Sequence, residues 1–435
     1  MNKNRFLCLL VVLALLSGGC LAEGSRPGYT LDRVVILSRH GIRSPLSGGG
    51  SLLAGITPHR WFNWTSKSGE LSLRGAVLET LMGQFFRLRM EQEGLFPENY
   101  RPEDGAVRFY ANAKQRTLAT ARYFSAGLLP VADVPVESRA AYDTMDPVFT
   151  PQLTFVTEDY ARDAAAQIEE RGGPEGLAGC HAALLDAIRL LMDVTDMTES
   201  EAYRAGDYGD LLSDPSGIRL AEGSEPAMTG PIRTATSVAD ALTLQYYEEA
   251  DSLRAAFGHE LTLADWQTLH GIVDAYSDLL FTVPLVSVNV AHPLLQEIRS
   301  ELTAEGRRFS FLCGHDSNIA SVLAALGAEP YLLPDAVEQH TPIGVKLVFE
   351  RWLAADGQAY WSAALVYQRP DQLRNVSPLT LDSPPSTYGL RFAGVPADAE
   401  GLMREADFLA LLDSAVSAYD ALIREYSTEA ADDAA

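Results

Sequence analysis

Four apolar residues, Val34-Val35-Ile36-Leu37, run straight into Ser38-Arg39-His40-Gly41-Ile42-Arg43-Ser44-Pro45. Three of the four are β-branched and charge flanks the run, which predicts a short buried strand. A strand apolar on both faces belongs in a sheet covered by helices. The chain leaving it carries two arginines and a histidine within five residues. Ligands of open α/β sheets sit at the carboxyl ends of strands, where these residues fall. Arginine presents a planar donor fork that matches phosphate oxygens. A histidine between arginines can attack phosphorus, and the positive charge around it keeps the imidazole neutral and nucleophilic. Gly41 lets the backbone come close to a ligand. An exposed basic turn would explain a lone Arg-His-Gly. The full string, with Arg43 and Pro45 in place, arises by chance in roughly one chain in several thousand.

The 435 residues allow about two to three domains. Strand and helix alternate through the first third. Leu73, Val77, Leu81 and Phe85 recur every fourth residue and predict an amphipathic helix over 70–90. Val107-Arg108-Phe109-Tyr110 reads as a strand, and a helix over 113–128 places Arg116 in its first turn. This alternation argues for an α/β sheet spanning 27–154. From 155 to 280 alanine, leucine and acidic residues dominate, with helices expected over 180–195, 237–257 and 262–279, which reads as a helical insertion domain. Sheet texture returns over 281–425, with strands at 308–313, 344–350 and 360–367 and a last helix over 405–425. The acidic tail, 427–435, reads as disordered.

Acidic residues outnumber basic ones by 58 to 34, for a net charge of -24. Such a chain repels nucleic acid, and an anionic small molecule needs a local arginine cluster to be held. Lys3 and Arg5 precede an apolar stretch of 11 residues over 6–16, too short to span a bilayer and suited to an export signal. Ser17-Gly18-Gly19-Cys20 is lipoprotein-like, with Cys20 as the lipidated residue; cleavage after Ala22 is the alternative. Either way an exported, periplasmic protein is expected, possible membrane anchoring resting on Cys20. Cys180 and Cys313 are left in the mature chain. Cys313 reads as a buried thiol, and whether the two pair is open. The eight histidines show no ligand spacing, so no metal site is expected. The sequons at Asn63 and Asn375 read as incidental. Nothing in the sequence sets the oligomeric state.

The string from Arg39 to Pro45 resembles the signature of the histidine acid phosphatases. Two further elements of that family's pattern follow in order. One is an arginine opening a helix after a strand, Gln115-Arg116-Thr117. The other is a His-Asp pair after a strand, Gly314-His315-Asp316-Ser317-Asn318. Within the family the chain is most similar to the bacterial periplasmic glucose-1-phosphatases of the phytase-like branch. Tyr110-Ala111-Asn112-Ala113, Thr144-Met145-Asp146-Pro147, Leu242-Thr243-Leu244-Gln245, Thr341-Pro342-Ile343-Gly344 and Asp371-Gln372-Leu373-Arg374-Asn375 carry that likeness, which spans 30–425.

The resemblance implies an α/β fold with a phosphoglycerate-mutase-like mixed sheet flanked by helices and an inserted, mostly helical domain. It implies a metal- and cofactor-independent acid phosphatase acting on a small phosphomonoester. His40 would be the nucleophile that forms a phosphohistidine, and Arg39, Arg43, Arg116 and His315 would clamp the phosphoryl oxygens. Asp316 would protonate the leaving alcohol and then activate water. Glu225, in Glu225-Pro226-Ala227-Met228, would contact or gate a sugar. Read without the family, Arg116 is a surface arginine, Glu225 a solvated carboxylate, and Asp316 with Asn318 a helix cap. Trp61, Phe62 and Trp64 could line a substrate mouth or pack a loop. Related phytases commonly carry a threonine after the motif proline, leading into a basic pocket. Here Leu46-Ser47-Gly48-Gly49-Gly50 follow, which favours glucose-1-phosphate over phytate. A phytase or broad-specificity acid phosphatase, a phosphate-ligand-binding lipoprotein and a mutase-like phosphotransfer enzyme are the alternatives. His40 with Asp316 argues against the binder, and export argues against the mutase.

Overall fold

The structure, a computed structural model, describes residues 26–46 and 52–432. The signal-like segment with Cys20, residues Ser47 to Ser51 and the last three residues lie outside them. The predicted first strand becomes β1 (Tyr29–Arg39). Val34 and Ile36 point into one apolar cluster and Val35 and Leu37 into another, so the strand is buried on both faces. Its neighbours come from distant segments: β2 (Val107–Ala111), β3 (Val136–Glu137), β6 (Phe309–Gly314), β7 (Lys346–Ala354), β8 (Ala359–Tyr367), β9 (Ser386–Gly389) and β10 (Met403–Arg404). Two short strands, β4 (Gly217–Arg219) and β5 (Ala227–Thr229), form a separate hairpin.

The large sheet has eight strands in the order β10-β8-β7-β1-β6-β2-β3, with β9 on β8. β1, β6, β2 and β3 are parallel, β7 pairs antiparallel with β1, and β8 pairs antiparallel with β7 and so runs with β1 again. The sheet is therefore mixed, as the resemblance implies. The helices Leu73–Gln92 and Gln115–Leu128 cover one face. Pro284–Thr303, Asp316–Ala325 and Glu405–Asp432 cover the other. The helices Gly176–Val194, Pro231–Glu248 and Leu263–Phe281 build a third apolar cluster, which takes in Ile42 and Leu78 of the sheet layers. This places helices of the middle of the chain over the ends of the strands that carry Arg39 and His40.

The structure departs from the sequence expectations in four places. In the Leu73–Gln92 helix Leu73 and Val77 are exposed and Phe85 is buried. A helix turns about 100° per residue, so a fourfold spacing drifts about 40° per step, and the row that starts on the exposed face reaches the buried one only at its end. The expected helix over 237–257 starts earlier and stops at Glu248. Asp251 caps a separate short turn through the N–H groups of Leu253 and Arg254. The guanidinium of Arg374 takes the carbonyls of Tyr246 and Ala250. The helix Pro284–Thr303, unforeseen in the sequence, is masked there by β-branched residues and two prolines. Pro284 sits in the first turn, where proline is tolerated, and Leu294, Leu295 and Ile298 bury the helix despite Pro293. The final helix runs on to Asp432, beyond the point where the composition suggests disorder, because Leu422 and Tyr426 are buried. Cys180 and Cys313 are both free thiols, and Cys313 is buried.

Candidate active site

Three neighbouring parallel strands deliver the candidate residues to one place. Arg39 of β1 pairs with Gly314 of β6, and Ala111 of β2 pairs with Cys313. The three strands therefore end side by side. The chain leaving β1 carries His40 to Arg43. The chain leaving β6 carries His315 and Asp316 into the helix Asp316–Ala325. The chain leaving β2 carries Asn112 and then Arg116, in the first turn of Gln115–Leu128. Two helix N-termini thus face the same site, a favourable setting for an anion. Gly41 is needed for contact: a Cβ there would lie 3.2 Å from the Glu79 carboxylate, which pairs with buried Lys346 at 2.9 Å beneath the turn.

His40 is buried, and its Nδ1 lies 2.9 Å from the carbonyl oxygen of Gly41. A carbonyl can only accept, so Nδ1 carries the proton and Nε2 keeps its lone pair. Burial, and then the charges of Arg116 and Arg43, hold its pKa well below the usual histidine value. The ring is therefore neutral, with the Nε2 lone pair free. His315 packs edge-on against it, with ring centroids 5.5 Å apart. Burial and Arg116 likewise keep His315 neutral.

The acids of the site are held by its arginines. Asp316 lies 3.2 Å from Arg39. Burial raises its pKa, but the charge of Arg39 and the Ser317 N–H outweigh that and hold it at about 2. Arg39 is also fixed by Glu338 at 3.7 Å and by the carbonyl of Thr341 at 2.5 Å. Arg43 pairs with Asp240 at 3.2 Å. Burial and the neighbouring Arg43 lower the pKa of Arg116 to about 10, which leaves it charged at neutral pH. The side chain of Asn318 accepts from the His315 N–H at 2.9 Å, so it caps the helix while Asp316 faces the cleft.

His40, Arg43, Arg116, His315, Asp316 and Glu225 line a cavity of about 600 Å³, and Arg39 stands behind it against Asp316. All seven candidate residues are thus brought together. A second lobe of about 510 Å³ shares Arg43, Leu46, Glu225 and Asp316 with the first. Glu225 stands at the junction, where desolvation by the walls of the cleft and then the charge of Asp316 raise its pKa. Leu46 is 62% exposed at the same junction. Lys67 and Lys114 line the first lobe and Arg219 and Arg233 the second, so cations do surround the clamp although the segment after Pro45 supplies none. Trp61, Phe62 and Trp64 are absent from both linings. Trp61 and Trp64 pack on the helical cluster and Phe62 lies edge-on to Trp64. Sequence reasoning missed Glu338, Asp240 and the role of Asn112. Of these only Asp240, a lone acid in the apolar run Val238-Ala239-Asp240-Ala241-Leu242, carried a signal. Among the described residues no group of acidic, histidine or cysteine side chains is placed to hold a metal ion.

Residues 30–186 match the family described as the histidine phosphatase superfamily, branch 2. The chain is 37% identical over 407 residues to a glucose-1-phosphatase of Salmonella typhimurium, covering 92% of this chain and 96% of that one. It is 34% identical over 413 residues to a glucose-1-phosphatase of Providencia rettgeri, covering 93% and 97%. Its fold matches the structure of a Hafnia alvei phytase with a TM-score of 0.82 and 29% identity, covering 90% of this chain and 98% of that one.

Proposed function

The chain belongs to the histidine phosphatase superfamily, branch 2, and is a phosphoric monoester hydrolase; from that premise we propose that it hydrolyses sugar phosphomonoesters, glucose-1-phosphate first among them, through a phosphohistidine at His40. The observation that carries the mechanism is the Nδ1 contact of His40 with Gly41, which leaves Nε2 free among three arginines. Nε2 attacks phosphorus, the bond to the leaving oxygen breaks, and the oxygen takes a proton by way of Asp316. Water then attacks the phosphohistidine, gives its proton to Asp316, and releases phosphate. Arg39, Arg43, Arg116 and His315 hold the phosphoryl oxygens throughout. Glu225, an acceptor at the mouth of the clamp, suits the hydroxyl groups of a sugar. The names of the two bacterial relatives support the substrate.

Phytate hydrolysis is the second reading. Lys67, Lys114, Arg219 and Arg233 around the two lobes favour it, as does the likeness to the Hafnia phytase. Purified protein assayed with a chelator present should give higher kcat/KM on glucose-1-phosphate than on phytate. Glu225→Ala should weaken the sugar phosphate more than p-nitrophenyl phosphate. A preference for phytate would hand the substrate to the second reading. We read the N-terminal segment as an export signal leading to the periplasm, with Cys20 as a candidate lipid anchor.

A further inference from the structure

The two ring nitrogens of His315 face different partners. Nε2 lies 2.7 Å from the side-chain amide nitrogen of Asn112, and Nδ1 lies 3.4 Å from Nη2 of Arg116, which can only donate, so both ring nitrogens face a donor and the much shorter contact has the stronger claim on the lone pair. Which nitrogen carries the proton decides what the ring offers to a ligand held beside Arg116. Two arrangements are chemically possible. Nε2–H could donate to an amide oxygen, or an amide N–H could donate to a bare Nε2.

The surroundings of Asn112 exclude the first. The backbone N–H of Asp146 can only donate, and it lies 2.9 Å from Oδ1 of Asn112. Turning the amide over would set its NH2 group against that N–H. In the arrangement that satisfies Asp146, Nδ2 also lies 3.3 Å from the sulfur of Met145, a weak acceptor. The orientation is held from outside as well. The carboxylate of Asp146 accepts from the Tyr110 hydroxyl at 2.8 Å and from the Val148 N–H at 3.0 Å. Asn112 is fully buried, and its own N–H donates to the carbonyl of Cys313 at 2.9 Å. The far side of His315 is fixed by Asn318, which accepts from the His315 N–H and donates to the carbonyl of Phe149 at 3.0 Å. Two asparagines therefore tie His315 to the turn over 146–149.

We propose that Asn112 is a positioning residue that locks His315 as its Nδ1–H tautomer, so that the ring and Arg116 present two donors to one phosphoryl group. With the opposite tautomer a lone pair would face the anion. Because the ring stays neutral, the placement of one proton supplies the donor. The identity of the anion rests on the phosphatase reading; the tautomer does not.

Wild-type protein with 15N-labelled histidine side chains, His315 being assigned by its loss in His315→Gln, should show Nδ1 protonated and Nε2 bare from acid to neutral pH. The reverse pattern would overturn the proposal, whatever the protein hydrolyses. Asn112→Asp puts a carboxylate where the amide donated, so Nε2 must take the proton. Inorganic phosphate should then bind roughly tenfold more weakly at neutral pH, the effect of one hydrogen bond to a charged group. Relative to wild type, binding should recover in acid, where an imidazolium carries both protons. Equal weakening at every pH, or none, would overturn the proposal. Failure of wild-type protein to bind phosphate would instead sink the phosphatase reading, with the spectrum still deciding the tautomer.

Discussion

In the proposed mechanism His40, as nucleophile, and Asp316, as proton donor, meet opposite protonation demands. The nucleophile must be neutral, and burial among arginines makes it so. The proton donor must be protonated, yet Arg39 holds Asp316 at about 2. Its carboxylate is therefore ionised in the free protein at any pH where the fold is expected to work. The proton can arrive with the substrate. A phosphomonoester loses its second proton near pH 6, so in acid it enters as the monoanion. Once the phosphoryl group draws on the Arg39 fork, Asp316 is free to take that proton and pass it to the leaving oxygen. Two results follow. In the wild type, kcat/KM for a sugar phosphate should fall as pH rises through about 6, a limb set by the ester and not by the depressed Asp316. Asp316→Asn should slow a sugar phosphate by about 100-fold or more, and p-nitrophenyl phosphate far less, because an aryl oxide leaves without a proton. Equal losses on both would remove Asp316 from that role. These groups were legible in the sequence because each sits in a contiguous string just after a strand. Glu338, Asp240 and Asn112 were not assigned, since each is a single polar residue whose partner lies on a distant segment.

The helices Leu73–Gln92 and Gln115–Leu128 show why burial was harder to read than helicity. Their crossing rests on two glycines. A Cβ on Gly83 would lie 2.1 Å from the carbonyl oxygen of Phe124, and one on Gly127 would lie 2.1 Å from that of Thr80. The backbones touch, so the buried face includes Gly75, Ala76, Gly83, Leu78, Met82, Phe85 and Phe86, of which only Phe85 belongs to the fourfold row. Periodicity finds large apolar residues and passes over small ones. Gly83→Ala should therefore destabilise the protein by about 2 kcal/mol or more through overpacking. Gly271→Ala, in the interior of Leu263–Phe281 with nothing within 4 Å of its Cβ, should stabilise it by about 0.5–1 kcal/mol. Chemical unfolding of the two variants distinguishes them by sign. A neutral Gly83→Ala would mean that the helices do not cross this closely. The crossing matters for the site, because these helices carry Glu79 under Gly41 and Arg116 beside His315.

Over the whole molecule, a net charge of -24 contrasts with a cleft lined by Arg43, Lys67, Lys114, Arg116, Arg219 and Arg233. The sequence conveyed the sheet, its helical cover and the clamp, because strands ending in charged strings are local signals. It did not convey the cations of the two lobes, which come from four segments joined only by the fold. The polarity of the N-terminus is a separate matter of destination. If Cys20 is lipidated, wild-type protein should fractionate with membranes and Cys20→Ala should be soluble or unprocessed, since a doubly anchored chain is not released in part. Soluble product from both would favour cleavage after Ala22. The proposed mechanism turns on one covalent event, phosphorylation of His40. Rapid mixing with a 32P-labelled phosphomonoester, followed by denaturing quench and peptide mapping, reads it directly. The label should be stable in base, labile in acid, and located on His40, and it should vanish in His40→Ala. A wild-type enzyme that turns over without ever carrying phosphate, or carries it on another residue, would contradict the mechanism.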